Sequence, residues 1–529
     1  MSALDEQEAS NPITIEPTST VEVARPSGIA ATFTRNSILS VGRVFATAAL
    51  ALVLPSYLTH KLSVMTYAAW VLILQVSAYV GYLEFGIQTG VSKYVAEYDA
   101  RGDEAGSSMR ASAGLALMLV AGAFGVVLTL ILAWQVPAIF REMPASLDRD
   151  VRLSIIFVGI SLSFGLICSV FSSIFLGLQR YAVPMMLSFV NRVLYTAVVL
   201  AAVALHQSLA VMGALVAAVN VATGLMQFEA WRRWARSVRL QLSGLDPAVV
   251  KRMIAYCFSL AIWTAGMLCV SGLDITIVGR YDFAQTAFYS IAVLPTNFMG
   301  AIVGAALSPL MPTASALSVH RSPAEMGGIL SRVMRYASIL LLASGLPLLV
   351  CGYWVLRAWV GPAYATSTVG YLRILVLANI LRNTCVPYAS MLMATESQKI
   401  AIGGVIAEAV VNVSCSICLA RHIGAIGVAY GTLLGSVVSV ATHFTLNMHY
   451  TKAKFAISRV RLFLSALVRP GLIAIPSIVL APYWWSSSAP SFSPQVWLLW
   501  TLVTMLLVWL VGLNGQERVA IAKFTGLHS

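Results

Sequence analysis

At 529 residues, 59% apolar and only 10% charged, with a mean hydropathy of +0.83, the chain lies outside the range of soluble globular domains and reads as an integral membrane protein. Its net charge of +13 does not mark a nucleic-acid binder, because Lys and Arg accumulate in the cytoplasmic loops of polytopic proteins. No nucleic acid, cofactor or metal is expected.

Residues 1–35 form a polar tail with Asp5, Glu6, Glu8, Glu16 and Glu22 set against Arg25, punctuated by Pro12, Pro17 and Pro26. This composition predicts a disordered acidic tail. It lacks the basic start and small-residue cleavage site of a secretory signal, so the first apolar span is expected to act as an uncleaved anchor.

A crossing needs about 20 mainly apolar residues. On that measure fourteen spans are predicted, at 36–57, 66–90, 110–135, 152–177, 181–204, 208–230, 253–279, 285–313, 333–357, 367–394, 399–420, 424–448, 462–484 and 494–513. The basic runs "WRRWARSVRL", with Lys251 and Arg252, and "TKAKFAISRVRLF" place both termini in the cytoplasm. "MGALVAAV" from Met212 and "IGVAYGTLLG" from Ile426 open spans six and twelve alike, and "TYAAWVLILQ" from Thr66 matches "TAFYSIAVLP" from Thr286 at a similar offset. The expected fold is therefore all-α and polytopic: an N-lobe (36–231), a basic linker (232–252), a C-lobe (253–448), a second basic linker (449–461), helices thirteen and fourteen (462–513) and a cytoplasmic tail (514–529). Six-helix lobes of the same orientation imply a pseudo-twofold axis along the membrane normal and a cleft between them.

A charge in hydrocarbon is costly, so charges inside spans mark protein or water. Three- and four-residue spacing puts Arg43 on a stripe with Asn36, Ser40 and Thr47, and Glu84 on one with Ser77, Gly81 and Gln88. Similar stripes carry Arg192 with Ser188 and Tyr195, Asp274 with Thr264 and Ser271, Asn379 with Arg382, and Glu408 with Asn412 and Ser416. Two readings stand. In one, Arg43 pairs with Glu84 and Arg192 or Arg382 with Glu408, as ion pairs that pack helices. In the other, Arg43, Arg192 and Arg382, with Asn379 and Asn412, line a wet cavity for an anionic substrate, since guanidinium matches phosphate oxygens. Glu84, Asp274 and Glu408 then take a coupling cation or proton. Arg373, near the outer end of span ten, reads as a snorkelling residue outside both sets.

The seven cysteines all fall in apolar spans, and the one C-x-x-C, Cys415 to Cys418, has no second ligand pair, so core thiols are expected. Among the histidines, His443 is the one well inside a span and reads as core. P-loop, H-E-x-x-H and G-x-S-x-G motifs are absent, and Glu142, Asp148 and Asp150 read as a solvated rim in the longest outer loop.

"YLEFGIQTGVSKYVAEY", "GLQRYAVPMMLSFVNRV", "LDITIVGRYDFAQTAFYSIAVLP", "ALSPLMPTAS" and "AEAVVNVSCSICLARHIGAIGVAYGT" resemble, in order and spacing, the polysaccharide-transporter (Wzx-type flippase) branch of the multidrug/oligosaccharidyl-lipid/polysaccharide (MOP) exporter superfamily. The resemblance covers roughly residues 36–450. It implies a bacterial inner-membrane flippase, not an enzyme, that moves a polyprenyl-pyrophosphate-linked oligosaccharide from the cytoplasmic to the outer leaflet for a surface polysaccharide, exopolysaccharide or lipopolysaccharide. Polymerase and export proteins of that pathway are its implied partners. Arg43 and Asp274 sit at family-like positions, and Glu84 stands where the family often has aspartate; Arg192, Arg382 and Glu408 rest on the stripes. The alternatives are a multidrug or peptidoglycan-precursor exporter of the same superfamily, or a membrane-embedded glycan polymerase or ligase.

Overall fold

The computed structural model describes residues 52–318, 321–395, 397–481, 494–515 and 517–518, which contain helices and no strands. The helices are α1 (52–61), α2 (Val64–Ala100), α3 (Glu104–Ile139), α4 (Ala145–Gly177), α5 (Ala182–Ala204), α6 (Leu209–Trp234) and α7, whose parts are Pro247–Met267 and Asp274–Tyr281. They continue as α8 (Gln285–Leu307), α9 (Pro323–Val360), α10 (Pro362–Ala394), α11 (Lys399–Ile423), α12 (Ile426–Tyr450), α13 (Arg459–Val479) and α14 (Pro494–Leu507). Eleven of the described helices are long and apolar enough to cross a membrane. The remaining three expected crossings are α1, described only over its last residues, α7, interrupted at Leu268–Gly272, and the shorter α14.

Local chemistry sets the ends. Asp103 accepts from the Gly106 N–H at 2.7 Å to start α3. Ser322 and Glu325 form a reciprocal capping box on α9, and Pro247 and Pro362 occupy first turns where a missing N–H costs nothing. Close helix crossings use glycine. A Cβ on Gly213 of α6 would lie 2.8 Å from the Ser154 Cα of α4, and one on Gly427 of α12 would lie 2.4 Å from the Leu419 carbonyl carbon of α11. These two glycines occupy matching places in the "MGALVAAV" and "IGVAYGTLLG" runs.

Packing repeats after six helices. The neighbour pairs α2–α4, α3–α4, α4–α6 and α5–α6 recur as α8–α10, α9–α10, α10–α12 and α11–α12. Lateral helices α13 and α14 pack against α9, where buried Arg335 pairs with Glu517, and Arg469 of α13 donates to the carbonyls of Val511 and Leu513.

The cores show how the lobes meet. One continuous cluster joins Tyr67, Ile73 and Val158 of the first six helices to Tyr289, Leu341 and Leu372 of the second six. At this far end Ser56 donates to the Trp359 carbonyl at 2.6 Å, and the Phe283 N–H donates to Glu142 at 3.2 Å. Glu142 is thus a contact between lobes as well as part of the rim. Toward the end that carries the basic segments, the core divides. One cluster holds Val91, Phe175 and Ala230 with Met253 and Cys257 of α7, and another holds Met334, Tyr388 and Leu462. The lobes close against each other at the far end and part toward the basic end.

Candidate functional site

Helix α11 carries Glu408, Asn412 and Ser416 at four-residue spacing on one buried face, with exposures of 5%, 0% and 0%. Facing α12 accommodates them because it presents glycine: a Cβ on Gly431 would lie 2.2 Å from Ser416 Oγ, and one on Gly435 would lie 2.9 Å from Asn412 Cβ. From α10, Arg382 reaches Glu408 with an Nε–Oε1 distance of 2.6 Å, while its Nη2 is buried without a hydrogen-bond partner among the described residues. Asp274, the first residue of the second part of α7, accepts hydrogen bonds from Thr432 of α12 at 3.0 Å and Tyr289 of α8 at 3.3 Å, and lies within electrostatic reach of Arg382. Four of the singled-out residues, Asp274, Arg382, Glu408 and Asn412, thereby belong to one buried cluster. Asn379 lies one helical turn from it and accepts from Asn383 at 2.9 Å.

A wide π-type turn at Leu268–Gly272 connects this cluster to the opposite lobe. Such a turn displaces carbonyls from regular i→i−4 bonding, and buried carbonyls need new donors. Asn412 donates its side-chain amide to the Val270 carbonyl. Gly272 turns its carbonyl the other way, toward α2, where Gln75 donates at 2.7 Å and Tyr79 at 3.1 Å; the Tyr79 hydroxyl also meets Thr276. One turn of α7 is therefore held by both lobes.

Glu84 sits on a second interruption. Residues Tyr79–Glu84 form a tight 3₁₀ segment, after which Phe85 (φ 45°) and Gly86 (φ 74°) adopt left-handed backbone and α2 restarts at Ile87. Left-handed geometry is costly for phenylalanine, so the break is a built feature. The Gln88 N–H of the restarted helix donates to the Glu84 carboxylate, a favourable place for an anion. Glu84 faces Cys257 of α7 and makes no salt bridge among the described residues. Its expected partner Arg43 lies outside them.

Arg192 stands apart from the cluster, exposed at the middle of α5 beside exposed Phe189 and Val193. Arg373, read from the sequence as snorkelling, is instead only 4% exposed within α10. Gln75, Tyr79, Tyr289, Thr432 and Asn383 are the contributors that sequence reasoning missed. Only Asn383 carried a signal, the four-residue spacing from Asn379.

No protein-family model and no curated protein matches the chain by sequence. Solved structures do match. An inward-facing multidrug-resistance MATE family transporter of the MOP superfamily superposes with a TM-score of 0.64 at 15% identity, covering 77% of this chain and 94% of its own. The chain has the fold of MOP-superfamily transporters. A second MATE transporter of that superfamily, outward-facing, gives a TM-score of 0.56 at 16% identity over 80% of this chain and 96% of its own. The lipid II flippase MurJ, in an inward closed conformation, gives 0.68 at 12% identity over 93% of this chain and all of its own. In this MOP fold, the higher score against the inward-facing multidrug transporter agrees with lobes that meet at one end only.

What the cluster can do follows from its charge. With both carboxylates ionised, Asp274 and Glu408 outweigh Arg382 by one negative charge. A buried site of that kind is satisfied by one added proton or cation.

Proposed function

We propose that this protein is a flippase for a polyprenyl-pyrophosphate-linked oligosaccharide, moving it from the basic, cytoplasmic side to the outer leaflet of a bacterial inner membrane for surface-polysaccharide synthesis. The observation that carries the reading is the extent of the fold match. It takes in 93% of the chain for the lipid II flippase, against 77–80% for the two multidrug transporters, so the flippase match includes part of the C-terminal pair α13–α14. Sequence resemblance to the Wzx-type branch points the same way.

A sugar head group brings many hydroxyls and a diphosphate, and each hydroxyl costs several kcal/mol to bury without partners. Passage therefore needs a wet path for the head group and hydrocarbon for the tail. Lobes that part toward one end provide the path. Arg192, Arg382, Asn379 and Asn412, with Arg43, are assigned to the head group, and Glu84, Asp274 and Glu408 to the coupling proton or cation.

In liposomes, the purified protein is expected to deliver a fluorescent polyprenyl-pyrophosphate oligosaccharide to the opposite leaflet, with the signal lost in Arg192→Ala. Absence of flipping beside an active control flippase would overturn the assignment. Export of cationic amphiphiles is the second reading, favoured by the net negative charge of the Asp274–Arg382–Glu408 cluster. Accumulation of a cationic dye inside the same liposomes, with no movement of the lipid-linked sugar, would establish it.

A further inference from the structure

The segment joining α12 to α13 is basic without compensation. Lys452, Lys454, Arg459 and Arg461 fall within ten residues, and the sequence holds no Asp or Glu between Glu408 and Glu517. Lys454 is committed to the Thr395 carbonyl at 2.6 Å and to Ser397. Arg469 is likewise occupied by Val511, Leu513 and Asn514. Lys452, Arg459 and Arg461 are exposed and form no salt bridge among the described residues. Arg459 spends one nitrogen on the Thr445 carbonyl at 2.9 Å, leaving the rest of its donor fork open.

These bases border a groove. A cavity of about 600 Å³ is lined by His449, Lys452, Arg459 and Val460, and one of about 510 Å³, sharing Ser458 and Val460 with the first, continues past Arg461 to Leu464. Beyond the bases, Val460, Leu464 and Val468 repeat every four residues on α13 with exposures of 67%, 50% and 42%. The groove thus presents positive charge at its mouth and an aliphatic strip along its length. A free phosphate would use only the charge. A glycerophospholipid uses both, setting its phosphate among Lys452, Arg459 and Arg461 and an acyl chain along the strip.

We infer that this groove is a binding site for an anionic phospholipid, separate from the cluster on α7, α10 and α11. The test titrates full-length purified protein with phosphatidylglycerol, phosphatidylcholine or inorganic phosphate and reads bound lipid by native mass spectrometry. Phosphatidylglycerol is expected to be retained in preference to phosphatidylcholine and not to be displaced by inorganic phosphate. Each neutralised base is expected to weaken its tightest binding about fivefold, and the pair Lys452→Gln with Arg459→Gln about 25-fold. The charge-keeping pair Lys452→Arg with Arg459→Lys should retain binding, and Lys61→Gln at the far end should leave it unchanged. Equal retention of both lipids, or undiminished binding by the neutralised pair, would overturn the site. Displacement by inorganic phosphate would overturn the lipid and leave an ion site.

Discussion

Replacing Glu408 with leucine removes the carboxylate that faces Arg382 across 2.6 Å, with side-chain exposures of 6% and 19%. Two opposite charges about 4 Å apart attract by about 4 kcal/mol at an effective dielectric near 20. Breaking a buried pair from one side costs about 3–5 kcal/mol, because the remaining charge stays buried. Asp274 also lies within reach of Arg382 and takes up part of the abandoned charge, so the expected loss is at the lower bound, about 3 kcal/mol. Arg382→Met with Glu408→Leu removes both charges, and the double change is expected within about 1 kcal/mol of wild type, a coupling of about 2 kcal/mol or more. Dodecyl sulfate titration in mixed micelles, followed by circular dichroism, measures all four corners of the cycle. A loss below about 1 kcal/mol for Glu408→Leu, with additive single changes, would refute the argument. Transport by the folded double variant separates roles. Retained flipping would make the pair a packing device, and lost flipping would place it in the cycle.

Three further outcomes are expected. Combining Gln75→Leu with Tyr79→Phe removes the donors from α2 to the Gly272 carbonyl, and spin labels at Gln207 and Thr366, on a cysteine-free background, should report longer far-end distances; an unchanged distribution would deny the lock. Asn412→Leu leaves the Val270 carbonyl without its donor at a position of 0% exposure, so a loss of about 1–3 kcal/mol is expected in the same titration. Gly431→Leu puts a Cβ 2.2 Å from Ser416 Oγ and 2.5 Å from its backbone nitrogen, and folded protein should be absent from membrane extracts by fluorescence-detected size exclusion, whereas exposed Gly403→Leu, with open space around it, should extract normally.

Much of this architecture is written in local pattern. Apolar runs of sufficient length place the helices within a few residues. The inward stripe Glu408, Asn412, Ser416 is legible because four-residue spacing alone puts side chains on one face, and the Arg382–Glu408 pairing was among the contacts that buried opposite charges require. What sequence does not carry is where a helix departs from regularity. "LCVSG" at 268–272 contains neither proline nor paired glycines, and its wide turn is sustained by donors from two other helices, Asn412 and Gln75. Tyr289 and Thr432 looked like ordinary apolar-span residues, since their value lies in facing Asp274 across the bundle. The fourteen expected crossings likewise assumed that each apolar run is one straight rod, which α7 is not.

That irregularity fixes a phase. An α-helix advances about 100° and 1.5 Å per residue, and a π-type turn accommodates one more residue than the regular spiral would. Excising a single residue from Leu268–Gly272 would restore regular winding, but everything beyond it would rotate by roughly a quarter turn. Asp274 would then swing away from Thr432 and Tyr289. The angular setting of an acidic side chain is thus encoded by residue count several positions upstream, so a one-residue deletion there should be more damaging than most substitutions at the same positions.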